Sequence, residues 1–107
     1  MSKINILGTE YTLTKDSELY DMDGCCDKTT KEIKVCKTLS EKNNHPNAVG
    51  KIDWFERKVT RHELIHALAF ESGLHESSFM HNEALVDWIA VMYPKMKEIF
   101  KTLDIEE

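Results

Sequence analysis

Residues 52–73 read Ile52-Asp53-Trp54-Phe55-Glu56-Arg57-Lys58-Val59-Thr60-Arg61-His62-Glu63-Leu64-Ile65-His66-Ala67-Leu68-Ala69-Phe70-Glu71-Ser72-Gly73. Ile52, Phe55, Val59, His62, His66 and Phe70 follow one another at steps of three or four, the spacing of one helix face. Asp53 suits the start of that helix. Ser72-Gly73 suits its end, because glycine accepts the left-handed conformation that closes many helices. Upstream of this stretch the pattern is strand and loop, and downstream it is helix. That order predicts an α+β fold with a small N-terminal antiparallel β-sheet packed on two to three helices.

Upstream, Ile4 and Ile6 alternate with polar residues, and so do Tyr11 and Leu13. Gly8-Thr9 between them predicts a two-residue turn, pairing Ile6 with Tyr11 and Ile4 with Leu13 on one face. Residues 15–24 are polar, with Asp23-Gly24 as a turn signal. Cys25-Cys26, a polar turn from Asp27 to Lys31, and an alternating run from Glu32 to Thr38 predict a second hairpin. In that run Ile33 and Val35 share one face, and Lys34 and Cys36 the other. Outer-face lysines predict an exposed edge strand over residues 31–38. Residues 40–50 are rich in turn formers.

Downstream, a connection from Leu74 to about Met80 leads to a second helix, predicted from His81-Asn82 to about Met92. Pro94 either kinks this helix or starts a third, carrying Met96, Ile99, Phe100 and Leu103. Trp54 and Trp88 are expected in the core.

The 107 residues form one domain, of ordinary composition at 41% hydrophobic and 31% charged. The net charge of −5, with lysines spread among acids, excludes a broad basic surface for nucleic acid. The first fifteen residues lack the apolar run of a signal peptide, and no stretch approaches a membrane span. A cytoplasmic location is expected, with no membrane partner. Three cysteines, Cys25, Cys26 and Cys36, are then expected as thiols. They lack the CxxC spacing of a structural zinc site, although Cys25 and Cys36 are expected opposite each other across the second hairpin.

The chemistry-bearing motif is His62-Glu63-Leu64-Ile65-His66. Histidines four apart on a helix lie one turn above each other, so both imidazoles reach one ion. Imidazole suits zinc, and a catalytic zinc keeps three protein ligands and a water. Glu63 is placed as the general base that activates this water. The plainer reading, two helix histidines beside an acid, is countered by the apolar neighbours Val59 and Phe70.

With Asn82-Glu83-Ala84-Leu85-Val86-Asp87 following, the pattern HExxH…NExxxD resembles the gluzincins, the thermolysin-like zinc metallopeptidases. The resemblance covers roughly residues 50–93. It implies one Zn²⁺ per chain held by His62, His66 and Glu83, with Asp87 accepting the outward N–H of His62. It also implies a peptide or protein substrate, paired with the edge strand expected over residues 31–38. The chain is much shorter than thermolysin and has no counterpart of the domain that supplies that family's oxyanion-stabilising Tyr and His. In size it looks like the minimal zincins encoded by phages and mobile elements. His75 and His81 lie between the motifs. Either can replace Glu83 or donate to a developing oxyanion, though the plainer reading is a pair of loop histidines. Tyr93 is a further candidate electrophile, with packing beside Pro94 as its plainer reading. His45 is expected in solvent. The alternative to an enzyme is a catalytically inactive, zinc-stabilised peptide- or protein-binding module.

Overall fold

A computed structural model of the chain describes residues 2–17, 23–36, 52–74 and 82–107. The elements are β1 (Ser2–Ile6), β2 (Thr9–Ser17), β3 (Gly24–Asp27), β4 (Glu32–Cys36), α1 (Ile52–Glu71) and α2 (Glu83–Thr102). Four strands form one sheet in the order β1-β2-β4-β3, so the fold is α+β.

The sheet is mixed, which corrects the expectation of an antiparallel one. Each hairpin is antiparallel, but the two join through β2 and β4, which run parallel. This join places β2 and β4 in the middle, and Tyr11, Ile33 and Val35 are fully buried there. Alternation within a hairpin cannot say which of its strands will meet the next hairpin. The expected edge over residues 31–38 is corrected for a related reason. Outward lysines report which face of a sheet is wet, whereas edges are set by the ladder, and β4 has a strand on each side. Among the described residues the edges are β1 and β3.

The first hairpin turns at Leu7-Gly8 rather than Gly8-Thr9, with Ile6 opposite Thr9, Ile4 opposite Tyr11 and Ser2 opposite Leu13. Both turn residues have positive φ, 52° and 95°, the handedness that matches strand twist. Asn5 Oδ1 accepts the Gly8 N–H at 2.8 Å and closes the turn. The register differs from the expected one by two residues. Because side chains alternate with a period of two, Ile4, Ile6, Tyr11 and Leu13 still share a face. In the second hairpin Asp27 Oδ1 accepts the backbone N–H groups of Thr29 and Thr30. Cys36, expected to point outward, is buried against Val35 and Val59. The β2–β4 register shifts just before it, so simple alternation fails at that strand end.

Helix α1 lies on the apolar face of the sheet through Val59, Glu63 and Ala67, four residues apart. Ala67 packs with Ile6, Tyr11 and Ile33. Gly73, at φ 89°, ends the helix in a Schellman motif: its N–H bonds to the Phe70 carbonyl and that of Leu74 to Ala69. One turn earlier, Glu71 ties the helix to the sheet. Its carboxylate accepts from the Thr9 and Tyr11 hydroxyls, both at 2.7 Å, and from Lys31 Nζ at 2.9 Å. The Thr9, Lys31 and Tyr11 hydrogen bonds hold the Glu71 carboxyl down to about 2, while burial and then Glu71 push the Tyr11 phenol above its ordinary range.

Helix α2 runs unbroken through Pro94 to Thr102. The predicted end near Met92 and the optional third helix are therefore corrected. Proline leaves the carbonyl four residues before it without an N–H partner. That carbonyl belongs to Ala90, and Arg61 Nε of α1 donates to it at 2.7 Å. The two tryptophans are also corrected, since Trp54 is 40% and Trp88 54% exposed. At 100° per residue, Trp88 sits roughly 200° round from buried Val86, and Trp54 roughly 180° from Glu63. No helix among the described residues is long and apolar enough to cross a membrane.

Candidate metal centre

The two helices bring together three of the sequence-predicted residues. His62 Nε2 lies 2.8 Å from Glu83 Oε2, His66 Nε2 lies 3.0 Å from Glu83 Oε1, and the two Nε2 atoms are 3.2 Å apart. One turn of α1 separates the imidazoles. Glu83 reaches them because Asn82 caps α2, its Oδ1 accepting the Leu85 N–H, so that the helix begins beside the site.

Asp87, one turn beyond Glu83, accepts the His62 Nδ1–H at 3.0 Å. With its proton held there, His62 turns the Nε2 lone pair toward Glu83 and His66. Two imidazoles and a carboxylate thus converge, and a single cation between them satisfies all three. Donors on a tetrahedral zinc, with bonds of about 2.0–2.1 Å, lie about 3.3 Å apart. The observed separations lie at or somewhat below that spacing, and the donor atoms all fall within 4.8 Å of one another. The group His62, His66 and Glu83 can hold a metal ion.

Burial raises the Glu83 and Asp87 carboxyls, but hydrogen bonds and nearby positive charge outweigh it, and both sit below their ordinary values. The lowering comes from His62 and His66 for Glu83, and from Lys58 and His62 for Asp87. Lys58 was missed by the sequence reading. It lies four residues before His62, and its Nζ is 3.0 Å from Asp87 Oδ1. The signal was present: Lys58, His62 and His66 repeat at four-residue steps on one face.

Glu63 is the one buried charged side chain among the described residues, at 8% exposure. Burial raises its carboxyl above the ordinary range; His62 opposes that shift and Glu83 adds to it. It sits against β3, and Gly24 makes the approach possible. A Cβ on Gly24 would lie 2.8 Å from Val59 Cγ1 and 3.2 Å from Glu63 Cγ. The sequence reading took Gly24 as a turn residue, yet it is the first residue of β3 and has no positive φ. Its role is close packing, which no local pattern announces.

Two depressions meet at Glu63, Glu83 and Gly24. One, of 230 Å³, also holds Asp23, Lys58, Val59, His62 and Asp87. The other, of 360 Å³, holds Cys25, Cys26, Lys28 and His66. The histidine–glutamate cluster thus lies in an open groove that follows β3. Cys25 and Cys26 are free thiols, both pushed up by burial and then by Glu63, Cys26 to about 11. Cys25 stands opposite Lys34, which corrects its expected pairing with Cys36. Cys36 instead donates its N–H to the Asp23 carbonyl. Tyr93 lines a separate depression on α2. His75, His81 and His45 lie outside the described residues. Comparison with known proteins finds no family model, no curated protein and no solved structure that matches this chain.

Proposed function

We propose that the chain is a small zinc peptidase of the zincin type. The supporting observation is the convergence of His62 Nε2, His66 Nε2 and the Glu83 carboxylate beside buried Glu63. Zinc, when bound by these three residues, would supply Lewis-acid polarisation of the attacking water and of the peptide carbonyl. Glu63 takes a proton from that water as the oxygen attacks the carbonyl carbon. As the C–N bond breaks, Glu63 returns the proton to the departing nitrogen. Asp87 holds the His62 ring in the tautomer that faces the centre, and Lys58 holds Asp87.

The substrate would lie extended in the groove, along the edge of β3 rather than on β4. Main-chain pairing on a strand edge gives affinity with little demand on side chains. Depressions on both sides of Glu63 and Glu83 would give room for substrate on each side of the bond, which suits a bond within a chain.

Two measurements test the reading together. Elemental analysis of the purified chain is expected to give one zinc per chain, lost in Glu83→Ala. Incubation with a mixed peptide library, read by mass spectrometry, is expected to show cleavage by the wild type and none by Glu63→Gln. Zinc without any Glu63-dependent cleavage would leave the metal-stabilised binding module instead. No zinc after reloading would defeat both.

A further inference from the structure

The second half of α2 carries an apolar stripe that serves no part of the metal centre. Leu85, Ile89, Met92, Met96, Ile99 and Leu103 follow one another at alternating steps of four and three, the repeat of helices that pair along a seam. Val86 and Ala90, which α1 covers, lie on a neighbouring face. Toward the C-terminus the stripe is uncovered among the described residues, with Ile99 56% and Leu103 62% exposed. Tyr93 and Phe100 widen it and are themselves exposed.

The helix register explains why α1 does not cover the end of α2. His66 faces Glu83, His62 faces Asp87 and Arg61 faces Ala90. Each step back along α1 is therefore a step forward along α2. Carried on to its first residue, α1 ends opposite about residue 98. The last turn of α2 runs past it.

The stripe also has a socket and a polarity. Tyr93, Met96, Lys97, Phe100 and Glu106 line a depression of 320 Å³. Lys95, Lys97 and Lys101, with Glu98 among them, precede Asp104, Glu106 and Glu107. A parallel copy would set like charges side by side, whereas an antiparallel copy sets lysines beside acids.

We propose that this face binds a second copy of the chain, with the two α2 helices antiparallel about a twofold axis between Ile99 and Phe100. Met96 then meets the partner's Leu103, Ile99 meets the partner's Phe100, Lys95 lies beside the partner's Asp104, and Glu98 faces the partner's Lys101. The contact is isologous, so it closes at a dimer. Both metal centres stay open, because the face lies round the helix from Glu83 and Asp87.

Sedimentation equilibrium of the intact chain, from low micromolar to submillimolar concentration, tests the proposal. The expected result is a reversible rise from 12.4 kDa toward twice that mass. Ile99→Glu and Leu103→Glu are each expected to remain monomeric with unchanged far-UV circular dichroism. Lys95→Glu and Asp104→Lys are each expected to weaken association several-fold, and their combination to restore it. A wild type that stays at 12.4 kDa throughout would overturn the dimer, whether its stripe then binds lipid vesicles or is shielded by its own chain. A dimer indifferent to Ile99→Glu and Leu103→Glu would overturn the face. Charge reversals that do not compensate would overturn the antiparallel register.

Discussion

The two halves of α2 are one continuous helix with opposite surroundings. From Glu83 to Ala90 it offers carboxylates to the metal centre and small apolar residues to α1, with Val86 and Ala90 fully buried. From Tyr93 to Leu103 it offers larger apolar residues, of which Tyr93, Ile99, Phe100 and Leu103 are exposed. Both halves carry large apolar side chains, yet the first is the one that the fold holds. Burial follows from what stands opposite, and α1 gives out near residue 98, short of the last turn of α2. Pro94 marks the boundary, and the Arg61 bond to Ala90 keeps the helix whole across it.

The largest expected effect lies in the held half. Val86→Asp would bury an unpaired charge between the helices and is expected to cost about 4 kcal/mol or more, leaving little folded protein by circular dichroism. A well-folded variant with unchanged melting would show that α1 and α2 do not pack as described.

At the boundary, Arg61→Ala removes the donor to the Ala90 carbonyl and is expected to cost about 1–3 kcal/mol in urea denaturation. Adding Pro94→Ala supplies an N–H to the same carbonyl and should recover part of the loss. Equal stability with and without Pro94→Ala in that background would separate the Arg61 effect from the proline.

The held half also depends on α1 staying seated on the sheet, and acid tests that seat. The Glu71 carboxyl lies below its ordinary value of 4.5, at about 2 in the folded chain. Its folded value is depressed, so its stabilisation is fully present above about 4.5 and is lost as pH falls toward 2. Glu71→Gln, which mimics the protonated form, should therefore melt below the wild type at pH 6, with the gap closing as pH falls from 4.5 to 2. A gap constant over that window would exclude Glu71 as the titrating tie.

The smallest effect is expected in the uncovered half. Leu103→Ser, measured at a concentration too low for association, should change unfolding free energy by no more than about 0.5 kcal/mol. A larger loss in the monomer would mean that the chain itself covers this face, and the contrast between the halves would fail.

Much was legible before any fold was known, because it depends on neighbours along the chain. The His62–His66 spacing, the Glu83–Asp87 spacing and the shared face of Ile4, Ile6, Tyr11 and Leu13 all follow from the periods of helix and strand. The glycine stop at Gly73 depends only on its own φ. Tertiary structure decided what depends on contacts between distant segments. It joined the hairpins through β2 and β4 and so moved the edge from β4 to β3. It set Gly24 against Val59 and Glu63, a role that a turn-like Asp-Gly pair conceals. It carried α2 through Pro94 by lending a guanidinium from another helix, and it left Trp54 and Trp88 in solvent. Periodicity reports which residues share a face; only the element packed opposite determines whether that face is a core, a metal centre or a surface.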